Sequence, residues 1–102
     1  MFVPVGGWLG GVRTDRPPPL PEWTRWIRFE QVVPEKNRSR QYSITVGQNL
    51  LSEWVMTCSW GRIGGRQRVK ATYFASKSEA MVLAERIAHR RLLRDYQVSA
   101  FE

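Results

Sequence analysis

The heptapeptide Trp54-Val55-Met56-Thr57-Cys58-Ser59-Trp60 constrains the fold of this chain more than any other stretch. Trp54, Met56, Cys58 and Trp60 share one parity, and Val55, Thr57 and Ser59 take the other. Successive side chains of a strand point to opposite faces, so this alternation describes a strand with large apolar groups on one face. Such a strand needs partners, and the flanking sequence supplies them. Ile27, Phe29 and Gln31 alternate with Arg28, Glu30 and Val32, and Tyr42, Ile44 and Val46 alternate with Ser43 and Thr45. After a glycine turn, Val69, Ala71 and Tyr73 alternate with Lys70, Thr72 and Phe74. A charged loop over 34–40, interrupted by Pro34 and holding Asn37 and Ser39, and a turn at Gly47-Gln48-Asn49 join the runs. Strands in sequence with short connections pair antiparallel as a meander.

A helix follows. Ser76 is placed to cap it, and Glu79 three residues on completes a capping box. Ala80, Leu83, Ala84 and Ile87 recur at helical spacing and are expected to face the sheet. Glu85, Arg86 and His89 fall on the opposite side, where His89 reads as a solvated residue. Arg86, Arg90 and Arg94 lie four apart and form a basic ridge. Val82 and Leu93 fall near the polar side, either as exposed residues or as contacts for a partner or the N-terminal segment. The expected fold is α+β, with a small antiparallel sheet of about four strands and one C-terminal helix packed on it.

The chain has 102 residues, which suits one domain. Residues 1–12 are apolar and glycine-rich, but no positive charge precedes them and no small-residue cleavage site follows. They are also too short to span a bilayer. Pro17, Pro18, Pro19 and Pro21 favour an extended conformation and exclude helix and sheet pairing. Residues 1–22 are therefore expected to be a flexible tail and 23–102 the folded domain. Trp8 reads as an unpacked tail residue or a docking handle, and the proline run as a segment that an aromatic-lined groove of a partner could take.

Cys58 is the only cysteine and His89 the only histidine, so no intrachain disulfide or Cys-rich zinc site can form. The nine acidic residues show no clustered ligand spacing, and no metal or cofactor is expected. A catalytic Cys58–His89 pair has no carboxylate or amide partner at recognisable spacing. The parity of Cys58 instead fits a buried core thiol. The expectation is a non-enzyme in the reducing cytoplasm.

Charge carries the functional reading. The chain is net +7, and residues 61–102 hold nine basic and four acidic groups, net +5. Such an excess favours a polyanion. It begins at Trp60-Gly61-Arg62-Ile63-Gly64, where an aromatic plane and a fixed cation stand two residues apart, and it continues through Arg66, Arg68 and Lys70. Stacking beside phosphate pairing is the chemistry of nucleic-acid contact. Trp60 shares the parity of Trp54 and Met56, so it reads equally as core or as contact. Arg62 reads as a phosphate ligand or as a brace for loop carbonyls. Gly61 and Gly64 read as turn formers, because Gly-x-x-Gly-Gly lacks the dinucleotide-binding spacing. Arg40 reads as a phosphate contact or as a partner of Glu53 across neighbouring strands. Tyr42 and Tyr73 read as sheet packing.

Trp60-Gly61-Arg62-Ile63-Gly64 resembles the signature of the WGR domain family, found beside the catalytic region of poly(ADP-ribose) polymerases and as small stand-alone bacterial proteins. Asn37, Arg40 and Tyr42 resemble the family's segment leading into the second strand. Residues 73–80 resemble its strand-to-helix junction, and Arg91-Leu92-Leu93-Arg94-Asp95-Tyr96 resembles its basic ending with a tyrosine, with Asp95 where a glycine is common. The resemblance runs from about residue 25 to 97. It implies a curved, mostly antiparallel sheet with one helix, and binding without catalysis, since the 102 residues hold no ADP-ribosyltransferase domain.

Carried over residue by residue, the resemblance implies that Trp60 packs on a terminal nucleotide and that Arg62 pairs with a phosphate or braces the loop. The candidate DNA contacts are Trp60, Gly61, Arg62, Arg66, Arg68, Lys70, Arg40, Arg90 and Arg94. DNA is expected ahead of RNA, at strand ends or breaks and without base-specific readout, by a monomer that the nucleoid can recruit. The alternative is a protein–protein interaction module that uses the same Trp-Gly-Arg surface. A membrane is not expected as partner.

Overall fold

The computed structural model describes residues 19–102. Of the chain before them it describes only the backbone of β1 (Trp8–Leu9) and β2 (Val12–Arg13), which pair antiparallel. The expected tail over 1–22 therefore lies mostly outside the described residues, as do the Trp8 side chain, Pro17 and Pro18.

The alternating segments form the expected meander. β3 (Trp26–Val33), β4 (Arg38–Gln48), β5 (Trp54–Arg62) and β6 (Gln67–Phe74) pair antiparallel in sequence order. In β3 the buried residues are Ile27, Phe29 and Gln31, the parity set by the alternation. α1 (Lys77–Leu93) follows, with the Ser76 hydroxyl accepting from the Glu79 backbone N–H at 3.2 Å.

The sheet has five strands rather than about four, and the helix is not the last element. β7 (Gln97–Phe101) returns antiparallel to β3, and the strand order is β6-β5-β4-β3-β7. Its sequence alternates weakly and its residues are mostly exposed. Its strand state comes from β3, whose free edge offers unpaired backbone groups. Phe29 meets Val98 and Ile27 meets Phe101, with a register shift between Arg28 and Phe29. Glu102 then accepts the backbone N–H groups of Thr24 and Arg25 at 2.9 and 2.7 Å.

One face of the curved sheet holds the core. Ile27, Phe29 and Ile44 are fully buried, with Val46, Met56 and Cys58 beside them. α1 lies on this face through Ala80, Ala84, Ala88 and Leu92. The expected stripe was right for Ala80 and Ala84, whereas Leu83 and Ile87 are only partly buried on its flank. The reason is steric: alanine at every fourth position lets the helix backbone approach the sheet, and bulkier residues fill the sides. His89 is exposed, as are Val82 and Leu93.

The helix ends in a left-handed turn. Tyr96 N–H donates to Arg91 O and Asp95 N–H to Leu92 O, both at 3.1 Å, and Asp95 takes φ 67°. This is the closing pattern in which glycine is usual and a short polar residue is tolerated. It accounts for Asp95 in a position where the resemblance leads to glycine being expected.

Two substitutions measure this packing. Phe29→Ala should cost about 3–5 kcal/mol by emptying the centre of the core. Ala84→Leu should cost about 1–3 kcal/mol by pushing the helix off the sheet. Urea unfolding reads both, and a wild-type midpoint for Ala84→Leu would contradict the alanine contact.

Candidate nucleic-acid interface

Strand register decides which charges meet. On the helix-covered face, Tyr42 lies opposite Trp60 and Ile44 opposite Cys58. Arg40 lies opposite Arg62, one step further along the same parity. On the far side of β5, Trp60 lies opposite Arg68 and Cys58 opposite Lys70. Arg40, Arg62, Arg68 and Lys70 therefore share the face of Trp60, and all four are exposed. Arg90 and Arg94 are exposed at the C-terminal end of α1. That end is tied to the sheet by Gln31 Nε2, which donates to Arg94 O at 2.8 Å. Arg66 sits apart, exposed in the β5–β6 turn.

Trp60 is half-buried and packs against the core, so it is neither fully core nor fully open. Its ring stacks on Tyr42, with centroids 5.9 Å apart and planes within 17°. Tyr42 is thus a stacking partner within the site as well as sheet packing. Tyr73 is exposed on the other face.

The Trp-Gly-Arg loop is fastened on several sides. Ile63 N–H donates to Ser39 O at 3.0 Å, and Gly65 N–H to Arg62 O at 2.9 Å. Arg62 donates to Asn37 O at 3.2 Å and to Asn37 Oδ1 at 3.4 Å. Asn37 has φ 50° at the end of the short 3-10 turn Pro34–Lys36. Arg62 is therefore a brace for that corner. A guanidinium carries five N–H donors, so donors remain for an anion.

Beneath the loop, Gln67 Nε2 donates to Arg62 O at 2.7 Å and to Gly65 O at 2.9 Å. Gln41 Nε2 donates to Gln67 Oε1, and Ser43 Oγ donates to Gln41 Oε1 at 2.8 Å. Gln41 is 5% exposed, so this amide network satisfies polar groups that would be costly unpaired. Gly61 has its own requirement: a Cβ there would stand 2.6 Å from Arg66 O. Gly64 meets the turn expectation directly, with φ 78°.

The expected alternative pairing of Arg40 with Glu53 is not formed. Arg40 sits at the Arg62 end of β4, whereas Glu53 lies in the β4–β5 turn, where Asn49 Nδ2 donates to Glu53 Oε1 at 3.0 Å. The ion pairs among the described residues are Arg25–Glu102 and Arg28–Glu30, which involve none of the candidate contacts.

Sequence reasoning passed over Arg91. Its guanidinium carbon lies 4.6 Å from the Tyr42 ring centre and 5.4 Å from that of Tyr96. The available signal was its spacing, seven residues after the buried Ala84 and three after Ala88. That spacing puts it on the edge of the helix stripe facing the sheet rather than on the Arg86–Arg90–Arg94 ridge. Cys58 is buried, as expected for a core thiol.

Burial sets the ionisation of this cluster. The Tyr42 phenol is pushed up from 10.0 to about 12, by burial first and then by its hydrogen bond with Cys58, against the pull of Arg91 and Arg90. Burial also pushes the Cys58 thiol up, against the Tyr42 hydrogen bond, Lys70 and Arg91. Both groups favour their neutral forms.

A family model described as the WGR domain matches residues 26–102. Neither the curated proteins nor the solved structures contain a match to the chain.

Two outcomes follow from this geometry. Gly61→Ala should lose about 1–3 kcal/mol, since the added methyl meets a backbone carbonyl that cannot swing away; an unchanged unfolding midpoint would contradict that contact. Folded Tyr42 holds its proton more tightly than the unfolded chain does. Its contribution to stability should therefore be full below about pH 10 and be lost as pH rises toward about 12. Tyr42→Phe should flatten that decline in urea midpoints, leaving the alkaline loss that Cys58 contributes in the same direction.

Proposed function

The chain belongs to the WGR domain family, and we propose that it binds DNA through phosphate contacts and the Trp60 platform, without reading base sequence. The WGR domain is a nucleic-acid-binding domain rather than a catalytic one. The observation that carries the proposal is the register that puts Arg40, Arg62, Arg68 and Lys70 on the face of Trp60, beside the helix end bearing Arg90 and Arg94. Fixed cations around an aromatic plane suit a backbone with a base to rest on the plane.

The half-buried Trp60 narrows the contact. The stack on Tyr42 engages Trp60 from one side, so a nucleotide packs on what remains exposed of the indole and does not slide the ring between base pairs. A terminal base offers an open stacking surface, which an internal base pair does not. This is why strand ends are the proposed target, with DNA ahead of RNA. The reading is of a non-enzymatic monomer acting in the cytoplasm, where a buried free thiol such as Cys58 persists. Arg66, in the turn, serves as an outlying phosphate contact.

The protein-interaction reading rests on a different surface fact. Val82 and Leu93 are exposed on the helix that also carries Arg86 and Arg90, which makes a mixed apolar and basic stripe.

A salt titration of binding to linear and covalently closed duplexes of equal length separates these readings. Phosphate contact predicts a steep fall in affinity with salt, and end recognition predicts tighter binding to the linear form. Trp60→Ala should cost about 1–3 kcal/mol of binding where the fold survives. Lys70→Gln and Arg68→Gln should each weaken binding across all sequences and lower the salt slope by about 1. Equal, negligible binding to both duplexes at low salt would remove the DNA reading and leave the interaction module.

A further inference from the structure

Arg91 is the most unusual cation of this fold. Its charge is held by aromatic rings, Tyr42 at 4.6 Å and Tyr96 at 5.4 Å, and it takes no part in the ion pairs seen among the described residues. Its Nε is buried and has no hydrogen-bond partner there. Burying part of a charged group with a donor unpaired is costly, so the position asks for a reason beyond packing, and only the rest of the half-buried side chain can meet a ligand.

The surroundings supply one. Tyr42 carries Arg91 over its ring and also stacks on Trp60, so one tyrosine ties the cation to the platform proposed for the nucleotide. Tyr96 is fixed in turn by the helix-ending bond from its N–H to Arg91 O. Arg90 and Lys70 stand near the same cluster and crowd it with like charge. Cation–π contact uses the flat face of the guanidinium and leaves its in-plane N–H groups to bond elsewhere. A planar fork of fixed orientation, in a positive field, matches a phosphate group.

We propose that Arg91 is a phosphate ligand at the centre of the interface, pre-oriented by Tyr42 and Tyr96, and that it takes the backbone phosphate next to the nucleotide resting on Trp60. This rests on the DNA-binding reading above and adds a residue to it. Arg91 gives the site its geometry, and the exposed Arg40, Arg68 and Lys70 add attraction at longer range. A purely structural Arg91 would only clamp the helix end onto the sheet.

The test uses the intact chain and a short blunt-ended duplex. Arg91→Gln should weaken binding about tenfold and reduce the magnitude of the salt slope by about 0.9, the value for one lost phosphate contact. Arg91→Lys keeps the charge and should retain the slope while losing part of the affinity. Arg28→Gln, on the opposite face and paired with Glu30, should change neither. If Arg91→Gln binds with the wild-type slope while its thermal midpoint falls, the role is structural and the proposal is overturned.

A second measurement does not depend on the variants folding. In the wild-type chain, the Arg91 Nη–Hη resonances should shift on adding duplex, with saturation at the same concentration as the change in Trp60 fluorescence. A resonance that stays in place while the duplex binds overturns the assignment. Absence of any duplex binding overturns the DNA reading itself, and so distinguishes that failure from failure of the Arg91 assignment.

Discussion

The contact of α1 with the sheet through Ala80, Ala84 and Ala88 sets the geometry on which the rest of the molecule depends. Three short side chains at four-residue intervals let the helix sit low over Ile44, Met56 and Cys58. Leu83 and Ile87 then close the flank as partly buried packing. With the helix held at that height, its last turn comes down beside Tyr42, and Arg91 falls over the Tyr42 ring. Gln31 fixes the same end by bonding Arg94 O. A larger residue in the stripe would lift the whole arrangement, because a packed interior has little slack. The core contact and the candidate site are thus one mechanical unit.

The Trp-Gly-Arg loop shows how a structural requirement and a candidate binding surface coexist in a few residues. Gly61 is needed because Arg66 O leaves no room for a side chain, and Gly64 because the turn takes a positive φ. Arg62 braces Asn37 through two of its donors and remains exposed. Gln41 and Gln67 satisfy the loop from beneath. Rigidity of this kind lowers the entropy a surface loses when it binds, which suits the proposed DNA contact. Trp60 and Arg62 each combine the two roles: Trp60 is half-buried against Tyr42, and Arg62 bonds Asn37 while staying exposed.

Much of the fold was legible because strand parity and helix capping are local properties. The alternations at Ile27–Phe29–Gln31 and Trp54–Met56–Cys58 named the buried face, and Ser76 marked the start of the helix. Cys58 was correctly placed in the core from parity alone. The misses have a common origin in long-range contact. β7 is a strand because β3 lies beside it, and nothing within Gln97–Phe101 demands that state. Arg40 lies on β4 and Glu53 in the turn at the far end of that strand, so register puts them apart, and Arg40 faces Arg62 instead. Leu83 and Ile87 matched the helical period, but the sheet selected the alanines for closest approach.

The sequence alone determined that the chain forms strands in a meander, that a capped helix follows, and that positive charge gathers after Trp60. Those properties are written in nearest-neighbour spacing, which needs no knowledge of what lies across the sheet. Only the tertiary structure decided which cations share the Trp60 face, how far Trp60 is buried, and that Arg91 lies over the Tyr42 ring. Each of those depends on register and on the height of the helix over the sheet. Register and helix height are settled by packing between residues far apart in the chain, where a shift of one residue would turn every side chain to the other face.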